Sequence, residues 1–407
     1  MSNEEKKLVP QLRFREFRNI EGWQIKRLKD ISTPINEKAG SKKYTLLSVT
    51  AGIGLVSQIE KFGREIAGTA YKNYYVIKKG DFAYNKSSTK QHPEGQIALL
   101  VSHESGAVPN SIFTCFRLSE DNILPDFLKY PFANNVHGKW LRNFIQVGAR
   151  ANGALNIDNR ELFALPVALP SLAEQQKVAD CLSSIDDLIT AQSQKVDALK
   201  KHRQGLLQLL FPAKGKMVPE LRFPGFETAG DWEKKLLGNI AENLDYKRVP
   251  ITGSDRVKGK IAYYGASGII DYVKGYIFDD DLLCVSEDGA NLVARTYPIA
   301  FSITGKTWVN NHAHVLKFEK YYTQVLVENY LNSMNIEDFL TGMAQPKLNR
   351  GQLDLIPLLL PKPSEQQKIA DILLSVDDLI NAQVEKLDAL KEHKKGLMQQ
   401  LYPIVAE

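Results

Sequence analysis

Residues 171–212 read SLAEQQKVADCLSSIDDLITAQSQKVDALKKHRQGLLQLLFP, and residues 362–403 read KPSEQQKIADILLSVDDLINAQVEKLDALKEHKKGLMQQLYP. Taken over the wider stretches 162–212 and 353–403, 29 of 51 aligned positions are identical. In each copy a seam recurs at alternating steps of four and three. The first seam is Val178, Leu182, Ile185, Ile189, Gln192, Val196, Leu199, Arg203, Leu206 and Leu210, and the second is Ile369, Leu373, Val376, Ile380, Gln383, Leu387, Leu390, Lys394, Leu397 and Leu401. A period of ~3.5 residues kept over more than four heptads is a coiled-coil signature. It predicts two helices, each roughly 55–60 Å long at ~1.5 Å per residue. Each opens on a capping pattern, Ser171 with Glu174 and Ser364 with Gln367, in which the hydroxyl accepts from a helix N–H and the later side chain reaches back. Each closes before a proline, Pro212 or Pro403, which cannot continue a helix.

The polar breaks in the seam choose an orientation. Parallel pairing would set Arg203 beside Lys394, two like charges in one core layer. Antiparallel pairing sets Arg203 across from Val376 and Lys394 across from Ile185, where each cation can snorkel outward. An antiparallel pair is therefore expected, with a pseudo-twofold relation between the halves and the variable blocks at opposite ends of the rod.

A shorter echo sets the phase of the repeat. VPQLRFREF followed by Trp23 returns as VPELRFPGF followed by Trp232. Each half thus runs lead-in motif, variable block, long helix. The expected partition is a lead-in segment (1–22), a first block (23–161), a central spacer helix (162–212), a linker with the repeated lead-in (213–231), a second block (232–352) and a C-terminal spacer helix (353–407). Each block is large enough for its own core, since domains commonly hold ~100–150 residues. Duplicated helices beside diverged blocks suggest one frame presenting two different reading heads.

With 43% hydrophobic and 24% charged residues, and no apolar run near the ~20 residues needed to span a bilayer, the chain reads as soluble and cytoplasmic, with no membrane partner. The opening MSNEEKKLVPQ lacks the apolar core of a signal peptide. Cys115, Cys181 and Cys284 are far apart and not at metal-ligand spacing, so reduced thiols and no metal site are expected. Net charge is +5, unevenly spread: the first block holds 19 Lys/Arg against 12 Asp/Glu, the second 14 against 14. A basic surface suits nucleic acid in the first block, and the second would need local clustering.

A twofold frame carrying unlike domains is what two half-sites on one duplex require. The order of block, EQQK-x-A-D-x-L-x-x-[IV]-D-D-L-I helix, second block and the same helix resembles the specificity subunits of type I restriction-modification systems, over essentially the entire chain. The resemblance implies an α+β chain: two target recognition domains joined by two long helices packed as an antiparallel coiled coil. Each domain would read one half of a split DNA sequence, and the helices would set the gap. It also implies no catalysis and no cofactor on this chain. Partners would be double-stranded DNA, two modification subunits that bind S-adenosylmethionine and methylate adenine, and two restriction subunits with an ATP- and Mg-dependent translocase and nuclease. Exposed helix positions such as Asp186, Asp187, Lys200, Asp377, Asp378 and Lys391 would meet the modification subunits.

DNA-contact candidates in the first block lie in YNKSSTKQHPEG (84–95): Tyr84, Asn85, Lys86, Ser87, Ser88, Lys90, Gln91 and His92. A second polar loop, GARANGALN (148–156), adds Arg150 and Asn152. In the second block they are Glu287 and Asn291 of SEDGANL (286–292), Lys306, Asn310, Asn311 and His312 of GKTWVNNHAH (305–314), and Lys347 of QPKLNR (345–350). Asn and Gln suit adenine, Lys suits guanine or phosphate, and small hydroxyls allow close approach. YNKS and GASGII…EDGANLV…WVNNHAHVLKF also look like sequences that recur in such recognition domains, and so serve as fold landmarks.

Enzymatic readings find little. AFSITGKT (300–307) fits a loose phosphate-loop pattern, but its interior is Phe-Ser-Ile-Thr and the following TWVNNHAHVLKF alternates like a strand. His312 and His314 lack nearby carboxylates in sequence. No Asn/Asp-Pro-Pro-Tyr/Phe segment or glycine fingerprint for S-adenosylmethionine is present. A coiled-coil scaffold without a DNA role is the alternative from another class, and a stand-alone DNA-modifying enzyme the third.

Overall fold

The structure is a computed structural model that describes residues 8–50, 53–66, 69–145, 154–342 and 345–404. It contains two compact units, one of residues 1–192 with 386–407, the other of residues 193–385. Both mix sheets and helices, as an α+β chain should. The units do not follow the expected linear partition, because each takes in parts of both long helices, Leu172–Leu210 and Pro363–Leu401.

In the first unit Val178, Ala179 and Leu182 are buried in one cluster with Leu401, against which Leu397 and Met398 also pack. Asp186 pairs with Lys394 at 2.5 Å. In the second unit Leu210 shares a cluster with Ile369 and Leu373, and Arg203 forms an ion pair with Asp377, its Nη2 lying 2.9 Å from Oδ2. Rising numbers on one helix meet falling numbers on the other in both units, so the helix segments are antiparallel. The seam cations Arg203 and Lys394 do not snorkel freely. Each is held by the first Asp of the other copy's Asp-Asp pair, which compensates a cation placed in an apolar seam.

The helix starts differ from the capping pattern. In the first copy Ser171 accepts from the Glu174 N–H at 3.4 Å, but the Glu174 carboxylate is used elsewhere. In the second copy the helix starts at Pro363, so Ser364 lies inside the first turn, and Gln367 bonds Asp371 rather than the backbone. Proline at the first position loses nothing, because that N–H has no partner within a helix. The stretch ahead of each rod is not helical throughout. A short helix, Asn159–Phe163 or Arg350–Asp354, is followed by a strand, Pro166–Leu169 or Pro357–Leu360.

Those strands pair antiparallel with the strands that follow the lead-in motifs, Gln24–Arg27 and Glu233–Leu236, in the same register in both units. The lead-in motif is locked by a buried ion pair. Arg13 grips Glu174 through two bonds of 2.8 and 2.7 Å, and Arg222 grips Glu365 at 2.8 and 2.6 Å. Trp23 donates to Glu174 at 3.1 Å and packs against Phe127 and Tyr402, while Trp232 packs against Phe211. The glutamine after each glutamate is a second clamp: Gln175 accepts from the Leu124 N–H, and Gln366 accepts from the Thr323 hydroxyl. The repeated EQQ is thus a structural device that fastens each block to its helix.

The diverged blocks share a topology. The first holds a four-stranded antiparallel sheet in the order Ser32–Pro34, Phe113–Leu118, Phe82–Asn85, Gln96–Leu99, and the second repeats it as Glu242–Asn243, Ala313–Lys317, Leu282–Ser286, Ala300–Ile303. The second block adds a mixed sheet in the order Gly268–Val273, Lys258–Gly265, Lys306–Val309, Phe278–Asp279. The phosphate-loop match therefore spans two strands, Ala300–Ile303 and Lys306–Val309, with no helix after it. Cys115 and Cys284 are buried thiols and Cys181 is half-buried, with no disulfide among them. No described helix is long and apolar enough to cross a membrane.

One buried group makes stability depend on pH. His137 is fully buried, with Nε2 3.2 Å from the Gly95 carbonyl and no hydrogen-bond partner at Nδ1 among the described residues. Burial pushes its pKa down to about 4, only partly offset by the Gly95 carbonyl. The unfolded chain takes up this proton first, so stability present at pH 7 is expected to fall as pH drops from ~6.5 towards ~4, by on the order of 3 kcal/mol. Urea unfolding of the full chain at pH 7 and pH 4.5 measures this. His137→Gln should shrink the difference, and an unchanged difference refutes the assignment.

Candidate nucleic-acid interface

In the first block the chain leaves the sheet at Asn85 and returns at Gln96. Between them the tip is closed by Thr89 and His92, each of which donates its N–H to the other, to Thr89 Oγ1 and to the His92 carbonyl. The return runs close to the outgoing strand at Gly95, which has φ +81° and where a Cβ would stand 2.4 Å from the Asn85 carbonyl oxygen. Only glycine fits there. Below it Glu94 is buried and held by Arg142 at 2.8 and 2.6 Å and by Asn135 at 3.1 Å. Burial alone would raise its pKa, but these donors hold it below the usual carboxylate range.

The strand end also meets the second polar loop. The Lys86 N–H donates to the Ile112 carbonyl, the Leu155 N–H donates to the Lys86 carbonyl, and Ser87 bridges to Ala154. The Lys86 ammonium donates to Asn159 Oδ1 at 2.9 Å, and the Thr114 hydroxyl donates to the same oxygen at 2.8 Å. They border a cleft of about 480 Å³ with a partly aromatic lining that includes Phe113 and Phe163.

The second block repeats this backbone frame. The Glu287 N–H donates to the His312 carbonyl, the Leu348 N–H donates to the Glu287 carbonyl, and Asp288 bridges to Lys347. Lys86 and Glu287 are therefore equivalent positions, as are Thr114 and His314. The side chains differ completely. Glu287 binds Arg248 at 2.6 Å and Lys347 at 3.2 Å, while buried His314 sets Nδ1 2.6 Å from Asp245 and Nε2 2.7 Å from the Leu348 carbonyl. His312 sets Nδ1 2.8 Å from Asp288. Burial would raise the pKa of Asp245 and of Glu287, but His314, Arg248 and, for Glu287, Lys347 hold both down. Asp245, Glu287 and His314 lie close enough to suggest a metal cradle. With Arg248 and Lys347 already neutralising the carboxylates, the group is an ion-pair network that ties three loops together.

The structure treats the candidates differently. Ser88, Lys90, Gln91, Asn311, His312 and Lys347 are exposed, and Asn85, Lys86, Ser87 and His92 are half-exposed on the same loops. Tyr84, Asn291 and Asn310 are corrections. Tyr84 is fully buried and donates its hydroxyl to the Glu94 carbonyl at 2.7 Å. Asn291 accepts from the Thr296 and Tyr297 N–H groups and donates to the Tyr297 carbonyl, and Asn310 accepts from the His312 N–H. Short amides often staple their own loops in this way. Glu287 has both oxygens engaged. Lys306, exposed over the Tyr276 ring, begins the strand that ends just before Asn310, and so stands apart from the loop cluster. Arg150 and Asn152 lie outside the described residues. Sequence reading missed Asn159 and the partners Asp245 and Arg248, whose only sequence signal is polarity.

Among the helix positions, Asp186 and Asp377 are engaged, Asp186 also by the Tyr130 hydroxyl at 3.0 Å, whereas Asp187, Lys200, Asp378 and Lys391 are exposed.

Comparison with known proteins matches this geometry. The model of the type I restriction modification DNA specificity domain matches residues 20–201 and again residues 229–392. A putative type I restriction enzyme specificity subunit of Haemophilus influenzae is 37% identical over 141 residues, which is 35% of this chain and 36% of that protein. The putative type I restriction enzyme MjaX specificity subunit of Methanocaldococcus jannaschii is 23% identical across 94% of this chain and 93% of its own length. The crystal structure of a type I restriction-modification S subunit from M. genitalium shares the fold, with TM-score 0.61 and 13% identity over 98% of this chain and all of that one. A chain from a structural study of complex assembly in the type I R-M system has TM-score 0.55 and 16% identity over 94% of this chain and 98% of its own. With the family model matched twice over most of its length, on two units built alike, the chain belongs to the type I restriction-modification DNA specificity family.

Proposed function

We propose that this chain selects the DNA target of a type I restriction-modification assembly and takes no catalytic part itself. Each unit reads one half of a split sequence, and the paired helices set the unspecified gap. Methyl transfer and cleavage belong to partner subunits, which bring S-adenosylmethionine, ATP and Mg. One observation carries this reading: the same backbone frame presents exposed polar loops in both units but equips them with different side chains. Two copies of one scaffold with unlike surfaces suit two unlike half-sites. The exposed helix residues Asp187, Lys200, Asp378 and Lys391 are suited to docking the modification subunits.

Replacing residues 23–161 by the corresponding block of a relative tests the reading. With modification subunits present, mapping of methylated sites should show one half-site changed and the other kept. A change in both halves, or no sequence preference with either protein, refutes it.

A further inference from the structure

We propose that Asn159 is a specificity determinant of the first unit, donating from its amide nitrogen to an acceptor on a base edge. The inference rests on the DNA-reading function proposed above and names a residue for it. Asn159 Oδ1 lies 2.9 Å from Lys86 Nζ and 2.8 Å from Thr114 Oγ1. An ammonium only donates, so the atom facing Lys86 must be the amide oxygen. That fixes the flip of the side chain, and the Nδ2 group, with its two N–H donors, is turned away from both partners. The residue is exposed, and no contact of Nδ2 is among those of the described residues. Among the described residues the cleft it borders is lined by Lys29, Lys86 and Arg160 and by no carboxylate; Asp158 neutralises Arg160 at 2.6 Å, so Lys29 and Lys86 give the setting that favours an electron-rich partner.

The chemistry narrows what is read. The bidentate pairing of asparagine with adenine needs one donor and one acceptor from the amide. Here the acceptor is already committed, so the exposed group offers donors alone. Donors alone match guanine N7 and O6, thymine O4 or the single N7 acceptor of adenine, not the amino group of adenine or cytosine, and only guanine offers two adjacent acceptors to the two N–H groups. The equivalent positions in the second unit support a role in discrimination. Lys86 and Thr114 are matched there by Glu287 and His314, and Asn159, the first residue of its short helix, by Arg350 after a connection two residues shorter, so all three side chains differ.

Asn159→Asp is the direct test, because aspartate keeps acceptors for Lys86 and Thr114 and replaces the outward donors by an acceptor. Asn159→Ala removes both functions and serves as the second variant. Each full-length variant is assembled with modification subunits and offered a pool of duplexes randomised over both half-sites. The expected result is a changed preference at one base pair of one half-site with Asn159→Asp, by roughly tenfold or more, and relaxed preference there with Asn159→Ala. A uniform loss of affinity across all sequences would mean a phosphate contact and would overturn the proposal, as would an unchanged preference. If the unaltered assembly shows no preference at all, the DNA-reading function fails instead, so the two failures are distinct.

Discussion

Replacing Glu174 by alanine is expected to lower the stability of the first unit by roughly 3–5 kcal/mol, because it leaves the buried Arg13 guanidinium without its counter-charge. The pair is well screened from water, with side-chain exposures of 5% for Arg13 and 1% for Glu174. The same carboxylate accepts from the Trp23 indole, so the substitution also orphans a second buried donor. Urea unfolding of the full chain, followed by tryptophan fluorescence and far-UV circular dichroism, reads the loss. Replacing both Arg13 and Glu174 by methionine should recover the part owed to the uncompensated charge, since a well-packed apolar pair removes it, while the Trp23 indole stays without its acceptor. A loss below ~1 kcal/mol for Glu174→Ala would show that the pair is not what joins lead-in motif to helix. Glu365→Ala should act likewise on the second unit through Arg222, with a smaller indirect cost, because the Trp232 indole already lacks a partner among the described residues.

Inserting seven residues into each long helix is expected to lengthen the gap between the recognised half-sites by about three base pairs while keeping both half-sites. A heptad adds ~10 Å of helix and preserves the seam. Inserted into one helix alone, it puts the pairings of Arg203 with Asp377 and of Asp186 with Lys394 out of a common register, and assembly activity should be lost. Mapping of methylated sites in cells that also make the modification subunits measures both outcomes. An unchanged gap in the doubly extended protein would refute the helices as a ruler.

These predictions draw on parts of the molecule that differed in how plainly the sequence announced them. Val178, Leu182 and Leu210, like Ile369, Leu373 and Leu401, are buried as their spacing implies. The antiparallel sense followed from avoiding Arg203 beside Lys394, but the neutralising aspartates did not, since a seam pattern names layers rather than flanking partners. The capping pattern misled because a serine and a glutamate three residues apart also serve other geometries. Ser364 is not the counterpart of Ser171, and Glu174 and Glu365 turn inward to arginines 161 and 143 residues away in the chain.

The interface was legible as segments and not as side chains. SEDGANL, NNHAH and QPKLN do converge, and YNKS does meet the loop before the first rod. Yet Tyr84, Asn291 and Asn310 are consumed internally, and Asn159 went unnoticed. Helix length, phase, sense of pairing and the doubled plan are periodic or local properties, so they can be read along the chain itself. Whether a polar group is free to meet a base depends on which distant atom it already bonds, as Glu94 does with Arg142 and Asn159 with Lys86. Such partners are brought together only when the sheets close, so that choice belongs to the tertiary structure.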